Sequence, residues 1–482
     1  MSVERAARAG AWSALDICLR QGVQFVVSVV LARLLAPADF GLIALLTFFT
    51  SLSITFVQGG LSLALVQRQD TTREEESAVF WVNLAASLVF GTIIVLIAPA
   101  AARFYGQPLL QSLMFVAAAQ VIVSAAGAVH TELLTRTLQF DQITKTGIIS
   151  SLLSAAAAVA AAVMGLGVWA LAIQIFVQAM ASTAALWWVS AWRPQMRFRL
   201  SAIRQLYGFG AFISLSSILE VLYTNGFLLI IGKAYGVGEL GIWNRATSIT
   251  SLPTTVISQI IGRIALPIFA GRESDREALR RGFRLALGLG MLLSLPVMAG
   301  LGVLSDLIIL ALYGQKWLPA APIMSVTTLS GMLLPLQILN LNLILAAGQS
   351  RTYFRLELLK KAAGIVIVGV GCFFGLIGVA WSALVISIVA YLINSYPTAD
   401  IIKYNSLNQI ADLKGPIFVT AVMAAAVFIL KQMIHLPPWP SLLLLSGIGA
   451  VIYLGIGFLC GIRQFREALD LLKSVAARRL AS

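Results

Sequence analysis

Apolar stretches of about 20 residues recur along the whole chain and constrain its fold more than any other feature of the sequence. A helix of this length crosses a hydrocarbon core of about 30 Å. Residues within the stretches, for example 93–102 and 151–163, do not alternate between apolar and polar as the strands of a membrane barrel do. Because lipid offers no hydrogen-bond partner to the backbone, we predict that these stretches are α-helices.

The composition excludes an ordinary soluble protein. Hydrophobic residues make up 59% of the 482 residues and charged residues only 11%, whereas a soluble domain carries about 25% charged residues. The formal net charge of +14 would suggest a nucleic-acid partner in a soluble protein. In a membrane protein, basic residues instead mark cytoplasmic loops that meet anionic lipid headgroups, so we expect no nucleic-acid partner.

Charged residues and Pro/Gly breaks divide the chain into about fourteen predicted transmembrane helices, which makes it an all-α polytopic membrane protein. In the second half, the predicted spans include 205–232, 238–265, 283–312 and 320–347. With the N-terminus inside, 26 of the 34 lysines and arginines fall in inner segments and 5 in outer segments. This bias predicts a bacterial cytoplasmic (inner) membrane protein with both termini in the cytoplasm.

An internal repeat is visible when the sequence is shifted by 200 residues. The shift aligns residues 10–12 with 210–212, and 39–42 with 239–242, without a gap. Charge sign, a glycine and the apolar pattern carry over in the second pair. Each predicted unit holds an even number of helices, so both units enter the membrane from the same side and form parallel repeats. Transporters often place substrate sites between such repeats.

The repeat and the charge pattern together predict the organisation of the chain. We predict two parallel six-helix lobes, a linker, two extra C-terminal helices and a tail that lies as an amphipathic helix on the inner membrane surface. The predicted boundaries are 1–192 for the N-lobe (helices 1–6), 193–204 for the basic cytoplasmic linker, 205–403 for the C-lobe (helices 7–12), 404–461 for helices 13 and 14, and 462–482 for the amphipathic cytoplasmic tail.

Ionisable residues inside the predicted helices are the first candidates for function, since they are costly there and usually face a cavity or a partner. Asp16 and Arg20 are four residues apart and share one helix face. The 200-residue shift aligns Arg20 with Glu220. We predict that these three residues line a cavity between the lobes, where the two carboxylates carry coupling protons or cations. The alternative is that they only neutralise one another and fix lobe packing.

Two further arginines, Arg245 and Arg263, lie in the predicted eighth helix. A guanidinium group suits bidentate contacts with phosphate, so we group Arg20, Arg245 and Arg263 as candidates for binding the diphosphate or sugar of a substrate. Arg245 can instead extend to the outer surface, and Arg263 can contact lipid headgroups. Uncharged polar residues in the spans, among them Gln174 and Gln178, are expected to make hydrogen bonds between helices.

Signatures of catalysis and of metal or cofactor binding are missing from the sequence. The longest polar stretch, 271–282, is too short for a soluble catalytic domain, and the chain has no phosphate-binding loop, HExxH or CxxC motif. Only two histidines are present, His130 and His435. We therefore expect a protein that is not an enzyme, with no cofactor and no metal site.

Three segments carry a resemblance to a known family: LARLLAPADFGLIAL at 31–45, TELLTRTLQFDQITK at 131–145, and GELGIWNRATSITSLPTTVISQIIGRIALPIFA at 238–270. They resemble the polysaccharide-transporter branch of the MOP flippase superfamily, and within it the Wzx-like exporters of colanic acid and lipopolysaccharide O-units. The resemblance implies two lobes around a cationic cavity. It also implies that an undecaprenyl-diphosphate-linked oligosaccharide moves from the inner to the outer leaflet by alternating access driven by H⁺ or Na⁺.

The resemblance further implies partners in the same pathway, namely a polymerase and a chain-length regulator. Related architectures leave alternatives open. A cation or drug antiporter of the MATE branch favours acidic residues in its cavity, whereas this chain has both signs of charge in its helices. A peptidoglycan-precursor flippase shares the architecture. A membrane glycosyltransferase or polymerase is a more remote alternative, since such proteins carry a long outer loop.

Overall fold

The computed structural model describes residues 21–67, 71–196, 200–269 and 275–480, and all regular elements in these ranges are helices. The predicted all-α class is confirmed. Single turns of 3-10 helix occur at Gln315–Trp317 and Cys372–Phe374. The α-helices are α1 (Gln21–Leu34), α2 (Pro37–Gln67), α3 (Arg73–Tyr105), α4 (Pro108–Arg136), α5 (Phe140–Val163), α6 (Val168–Val189), α7 (Leu200–Phe269), α8 (Arg276–Val303), α9 (Ser305–Leu312), α10 (Ala320–Met332), α11 (Leu334–Ala346), α12 (Ser350–Gly371), α13 (Gly375–Ile402), α14 (Ser406–Asp412), α15 (Lys414–Met433), α16 (Pro438–Leu459) and α17 (Arg463–Leu480).

Membrane-spanning helices dominate the fold. Within the described ranges, eleven helical segments are long and apolar enough to cross a membrane. Two of them, Leu215–Gly262 and Ser350–Ile402, contain 48 and 53 residues, more than twice the roughly 20 residues that one crossing needs. The first is interrupted at Gly236 and the second at Cys372–Phe374. The chain is a multi-pass membrane protein, and the count of fourteen spans stays a prediction.

Helix breaks inside predicted spans are the main local difference from the sequence-based expectation. The predicted span 283–312 is divided between α8 and α9, and 320–347 is divided between α10 and α11. The second break, at Leu333, has a clear cause, because Pro335 stands at the start of α11. Proline has no backbone N–H and disfavours the helical conformation of the preceding residue, so it separates two helices more easily than it continues one.

Contacts divide the chain into two compact units, unit 1 (Met1–Gly241) and unit 2 (Ile242–Ser482). The division falls within α7, shortly after Gly236, whose φ of 88° interrupts the helix. Glycine adopts this conformation without the penalty that a Cβ imposes. The predicted lobes, 1–192 and 205–403, have a different boundary, and this boundary stays a prediction.

Aromatic packing fixes the end of α6 against α4 in unit 1. The fully buried ring of His130 lies between Trp187 and Trp192, with ring centroids 5.0 and 5.2 Å away. The indole N–H of Trp187 donates a hydrogen bond to the carbonyl oxygen of Ala126 at 2.8 Å. Phe80 of α3 packs on the same tryptophans. This cluster therefore joins α3, α4 and α6.

An ion pair joins the beginning of α3 to the end of α4. Glu76 and Arg136 approach to 2.6 Å, and both side chains are largely buried. Thr71 donates a hydrogen bond to the same carboxylate at 3.1 Å and accepts one from Arg136. The charges of this pair are therefore matched by each other, which is the usual condition for burying ionised groups.

Two glycines form a close helix crossing in unit 1, and the 200-residue shift makes them equivalent. A Cβ added to Gly41 of α2 would overlap the carbonyl oxygen of Val237, and one added to Gly241 of α7 would overlap that of Pro37. Pro37 and Val237 are also 200 residues apart. Each contact is therefore the image of the other, which supports the register of the predicted repeat.

Polar side chains in unit 2 pair closely with one another. The amides of Asn340 and Gln409 exchange two hydrogen bonds of 3.0 Å, and both residues are fully buried. The carboxylate of Asp412 accepts a hydrogen bond from Tyr404 at 2.5 Å and pairs with Arg284 at 2.7 Å. These contacts join α8, α11 and α14.

The predicted tail helix is present as α17. Phe465 near its start is buried, and its ring fills the space where a Cβ of Gly457 would stand. The ring centroid lies 5.2 Å from that of Tyr453. The amide nitrogen of Gln464 donates to the carbonyl oxygen of Asp412 at 2.7 Å. The helix is thus anchored to unit 2 at its beginning, and its position on the membrane surface stays a prediction.

Candidate functional site

The five predicted site residues are only partly visible in the structure. Asp16 and Arg20 lie outside the described residues. The backbone of Arg263 belongs to α7, and its side chain also lies outside the described part. The predicted pairing of Arg20 with Glu220 therefore stays a prediction.

Glu220 and Arg245 are described, and they occupy different environments. Glu220 is exposed on α7 in unit 1. Arg245 is partly buried in unit 2, where its Nη2 donates to the side-chain oxygen of Asn244 at 2.8 Å and the hydroxyl of Tyr313 is a further partner. Tyr313 is itself buried against Trp317. Neither unit by itself brings two of the five predicted residues together among the side chains described.

A polar cavity in unit 1 is the feature that the residue-by-residue prediction missed. Its volume is about 520 Å³, and it lies among α1, α4 and α6. Small-molecule sites typically have volumes of about 300–1,000 Å³. The lining residues are Gln24, Gln120, Ser124, Gly127, Ala128, Thr131, Glu132, Gln174, Ile175, Gln178, Ala179, Ser182, Thr183 and Leu186.

Amides and hydroxyls form most of the polar wall of this cavity. One of its amides, Gln178, accepts a hydrogen bond on its side-chain oxygen from Ser154 of α5 at 2.8 Å. This bond agrees with the expected helix–helix role of Gln178. It assigns the amide oxygen to Ser154 and leaves the two N–H donors of the amide for other partners. The wall therefore offers neutral hydrogen-bonding groups rather than a cluster of charges.

Helical spacing explains why these residues share one wall. On α6, Gln174, Gln178 and Ser182 are each four residues apart, and on α4 the same spacing separates Gln120 from Ser124. Residues four apart lie on one helix face. This polar stripe through apolar spans was the available sequence signal. It was missed because each amide was judged separately and no single one can be ranked by its type.

Among the described residues of the cavity lining, Glu132 in the last turn of α4 is the only ionisable one. Its Oε2 is buried and has no hydrogen-bond partner in the part of the chain that the structure describes. The hydroxyl of Ser62 on α2 faces the same carboxyl group, but it does not reach hydrogen-bond geometry with Oε2. The carboxyl group thus stands in a polar cavity without a fixed partner for one oxygen.

α4 and α6 are in close contact beside the cavity. A Cβ on Gly127 would lie 2.9 Å from Oγ1 of Thr183. That hydroxyl donates to the carbonyl oxygen of Val123 at 3.0 Å. The two helices are therefore held at a fixed separation, and the glutamines of both helices face the same space.

Known proteins resemble the chain over most of its length. Residues 30–322 match the model of a family described as polysaccharide biosynthesis protein. Teichuronic acid biosynthesis protein TuaB of Bacillus subtilis is 30% identical over 77% of this chain and 77% of its own. Succinoglycan biosynthesis transport protein ExoT of Rhizobium meliloti is 27% identical over 96% and 94%. Lipopolysaccharide biosynthesis protein WzxC of Escherichia coli is 24% identical over 82% and 81%.

Solved structures resemble the fold at lower sequence identity. The lipid II flippase MurJ in an inward closed conformation gives a TM-score of 0.76 at 14% identity, covering 92% of this chain and 98% of that one. An inward-facing multidrug resistance MATE transporter of the MOP superfamily gives 0.63 at 15% identity, covering 82% and 99%. The chain thus shares its fold with a lipid II flippase and with a MATE transporter. Since the family model matches well over half of the residues, the chain belongs to the polysaccharide biosynthesis protein family, and the resemblance stated from its sequence is confirmed.

Proposed function

We propose that this protein is a flippase that moves a lipid-linked oligosaccharide across the cytoplasmic membrane. It is a transporter and not an enzyme, in line with a relative named as a transport protein for succinoglycan biosynthesis and a fold shared with MurJ. The lipid carrier is undecaprenyl diphosphate, and the repeat unit moves from the inner to the outer leaflet by alternating access. A gradient of H⁺ or Na⁺ drives the cycle.

The observation that carries the proposal is the polar cavity of unit 1. Amides and hydroxyls are the groups that hydrogen-bond to sugar hydroxyls, and here they line a space of about 520 Å³ between helices that include spans long enough to cross a membrane. Polar groups at such positions cost free energy unless they serve a partner or a passage. A sugar passing through the membrane needs a lining of this kind.

The predicted ionisable residues have roles within this proposal. Arg20, Arg245 and Arg263 bind the diphosphate or sugar, because guanidinium groups make bidentate contacts with phosphate oxygens. Asp16 and Glu220 carry the coupling ion or pair the lobes. Both termini lie in the cytoplasm, and a polymerase and a chain-length regulator act on the transported unit.

A reconstitution experiment tests the proposal. The probe is an undecaprenyl-diphosphate disaccharide with a fluorophore on its terminal sugar, placed in proteoliposomes that contain the full chain. We expect the protein to move the fluorophore between leaflets, which is measured as the fraction open to a membrane-impermeant quencher. Arg245→Ala should lower the rate by about tenfold, equivalent to about 1.4 kcal/mol of lost binding in the transition state. Arg103→Ala removes an exposed arginine of α3 and should leave the transport rate unchanged.

Other substrates separate the alternatives. If the wild-type protein moves labelled lipid II and leaves the undecaprenyl-diphosphate disaccharide in place, it is a peptidoglycan-precursor flippase. If it moves only a cationic dye against a gradient, it is a drug antiporter. In cells, deletion should stop surface polysaccharide and accumulate lipid-linked repeat units on the inner leaflet, and unchanged polymer would refute the proposal.

A further inference from the structure

Glu132 combines three properties that no other described residue of the unit 1 cavity shares. It is ionisable, it lines the cavity, and one of its carboxyl oxygens is buried without a hydrogen-bond partner among the described residues. It lies one turn before Arg136, at the end of α4. The carboxyl group of Glu132 can therefore bind a small ligand that enters the cavity.

The elements packed on α4 supply no described cation to Glu132. On α3, Glu76 is already paired with Arg136 of α4 itself. On α5, Lys145 lies 3.5 Å from Asp141 and pairs with it. Glu76 and Lys145 are thus each paired with a residue other than Glu132.

The remaining neighbours are neutral, distant or engaged with other groups. α2 offers the hydroxyl of Ser62, and its only acidic residue, Asp39, lies at the opposite end of the helix. α6 has no ionisable side chain. His130 of α4 lies between two tryptophans, and Arg193 after α6 donates to backbone carbonyl oxygens at the end of that helix, including that of Ser190. The described cations on α1 and at the start of α3, Arg33 and Arg73, are exposed. Glu132 therefore has no described ion-pair partner that would hold it permanently ionised.

We propose that Glu132 binds and releases the proton that couples transport to the proton gradient, an inference that rests on the proposed flippase function. The proton adds to a carboxylate oxygen to form an O–H bond and returns to water when that bond breaks, so no electron is transferred. Loss of water around a carboxylate disfavours its charged form. The polar cavity gives the group a route by which a proton arrives and leaves.

The two protonation states of Glu132 present different groups to the same cavity. The protonated carboxyl is a hydrogen-bond donor, which the oxygen of Ser62 or of a glutamine side chain can accept, whereas the carboxylate only accepts. A sugar hydroxyl bound to the glutamine wall therefore meets a different partner in each state. Because linkage is reciprocal, protonation changes the affinity for the sugar and the sugar changes the affinity for the proton by the same factor.

A proton fits this site better than a metal cation. The described part of the cavity lining contains one carboxylate, and no group of three or more His, Cys, Asp or Glu side chains that could hold a metal occurs in the described ranges. A proton needs one oxygen, whereas a hard cation needs about six or more oxygen ligands around it.

Infrared difference spectroscopy tests the proton site without any transported substrate. The full chain in lipid nanodiscs is titrated with acid, and the carbonyl band of protonated carboxyl groups is recorded. We expect one component of the wild-type band to be lost in Glu132→Gln and to return, shifted, in Glu132→Asp. Asp141→Asn removes a half-exposed carboxylate on α5 and should keep that component. An unchanged band in a folded Glu132→Gln protein would overturn the proposal.

A flux measurement tests the coupling. With the fluorescent undecaprenyl-diphosphate disaccharide in proteoliposomes, a pH gradient of one unit should change wild-type flux by up to about tenfold. Glu132→Gln should lose this response, so that its flux is the same with and without the gradient, and Asp141→Asn should keep the response. A response to a Na⁺ gradient at equal pH that disappears in Glu132→Gln would refute the proton assignment. No flux in the wild type would instead refute the flippase function, and the infrared result would still stand.

Discussion

Two regions of unit 1 show opposite uses of a membrane-spanning helix. At the crossing of α2 and α7, Gly41 and Gly241 bring backbone against backbone, so that even one added carbon atom would overlap a carbonyl oxygen. At the cavity among α1, α4 and α6, the helices leave about 520 Å³ lined by amides, hydroxyls and Glu132. The first region admits nothing, and the second has room for a polar ligand.

Under the proposed function, the difference separates residues that hold the fold from residues that serve transport. The crossing is restricted by steric exclusion, so a substitution there changes the free energy of unfolding. The cavity selects a ligand by the polar groups of its wall, so a substitution there changes which ligand is bound. In the predicted orientation, the crossing lies at the outer end of α2 and Glu132 lies at the inner end of α4.

Gly241→Ala should have the largest effect on stability. Its Cβ would overlap the carbonyl oxygen of Pro37, a backbone atom that cannot rotate away. We expect the free energy of unfolding to fall by about 3 kcal/mol or more, the upper range of overpacking. The measurement is thermal unfolding of the detergent-purified protein, with size-exclusion chromatography used to record the fraction that stays folded at each temperature.

Gly238→Ala is the matched control, because a Cβ at Gly238 meets no atom within 4 Å. Alanine is also the better helix former there. If the two variants unfold at the same temperature, the crossing of α2 and α7 is not a fixed contact. The contrast between a tightly packed crossing and an open cavity would then fail.

Asn340→Ala should have the second-largest effect on stability. It measures the free energy lost when a buried polar group is left without its hydrogen-bond partner. The variant leaves the buried amide of Gln409 without the two hydrogen bonds of 3.0 Å that it makes now. We expect a loss of about 1–3 kcal/mol in the free energy of unfolding, the cost of an unsatisfied buried group. Asn340→Leu combined with Gln409→Leu should cost less than the single change, and an additive loss would contradict this account.

Alkaline pH should produce a smaller effect through Tyr404, which lies between α13 and α14 outside the spans. Burial, together with the hydrogen bond to Asp412 and the charge of that residue, raises the pKa of the Tyr404 hydroxyl above its usual value. The unfolded chain therefore releases this proton from about pH 10 upward while the folded protein keeps it. Stability is fully present below pH ~10 and falls as the pH rises above it, by at most about 1.4 kcal/mol per pH unit.

Thermal unfolding between about pH 9 and 11 measures this slope. Tyr404→Phe keeps the ring and removes the ionisable group, so its slope should be shallower than that of the wild type, although its stability at neutral pH is lower because the hydrogen bond to Asp412 is lost. Equal slopes in the two proteins would show that Tyr404 does not titrate differently on folding.

Helix positions were predictable because the apolar length of a span is a property of the sequence itself. The charged and Pro/Gly residues that end a span also gave boundaries to within a few residues, as for the predicted spans 415–434 and 440–461, which correspond to α15 and α16. The 200-residue repeat stays a prediction, and the mutual contacts of Gly41 and Gly241 agree with its register. The breaks at Leu304 and Leu333 were missed because Ser305, Asp306 and Pro335 were included within long apolar stretches that continue beyond them.

The cavity was harder to predict because it depends on which faces of separate helices meet. Charge drew attention to Arg20, Arg245 and Glu220, whereas the cavity is built mainly from neutral amides such as Gln120 and Gln178. In an apolar helix, one glutamine can equally well hold a neighbouring helix or face a ligand. Only the packing of α1, α4 and α6 shows that several of them share one space.

Gln178→Leu should have the smallest effect on stability and a clear effect on transport. It tests whether the cavity of unit 1 binds the sugar. The variant removes one hydrogen bond, but the buried hydroxyl of Ser154 keeps its bond to the carbonyl oxygen of Ser151 at 3.0 Å. We expect the free energy of unfolding to change by no more than about 1 kcal/mol. Flux of the fluorescent disaccharide should fall by about tenfold, because the leucine offers no donor to a sugar hydroxyl. Gln142→Leu, on α5 and absent from the cavity lining, should leave flux unchanged. Equal flux in Gln178→Leu and the wild type would mean that the sugar does not use this wall, and the cavity would then be a packing feature like the crossing.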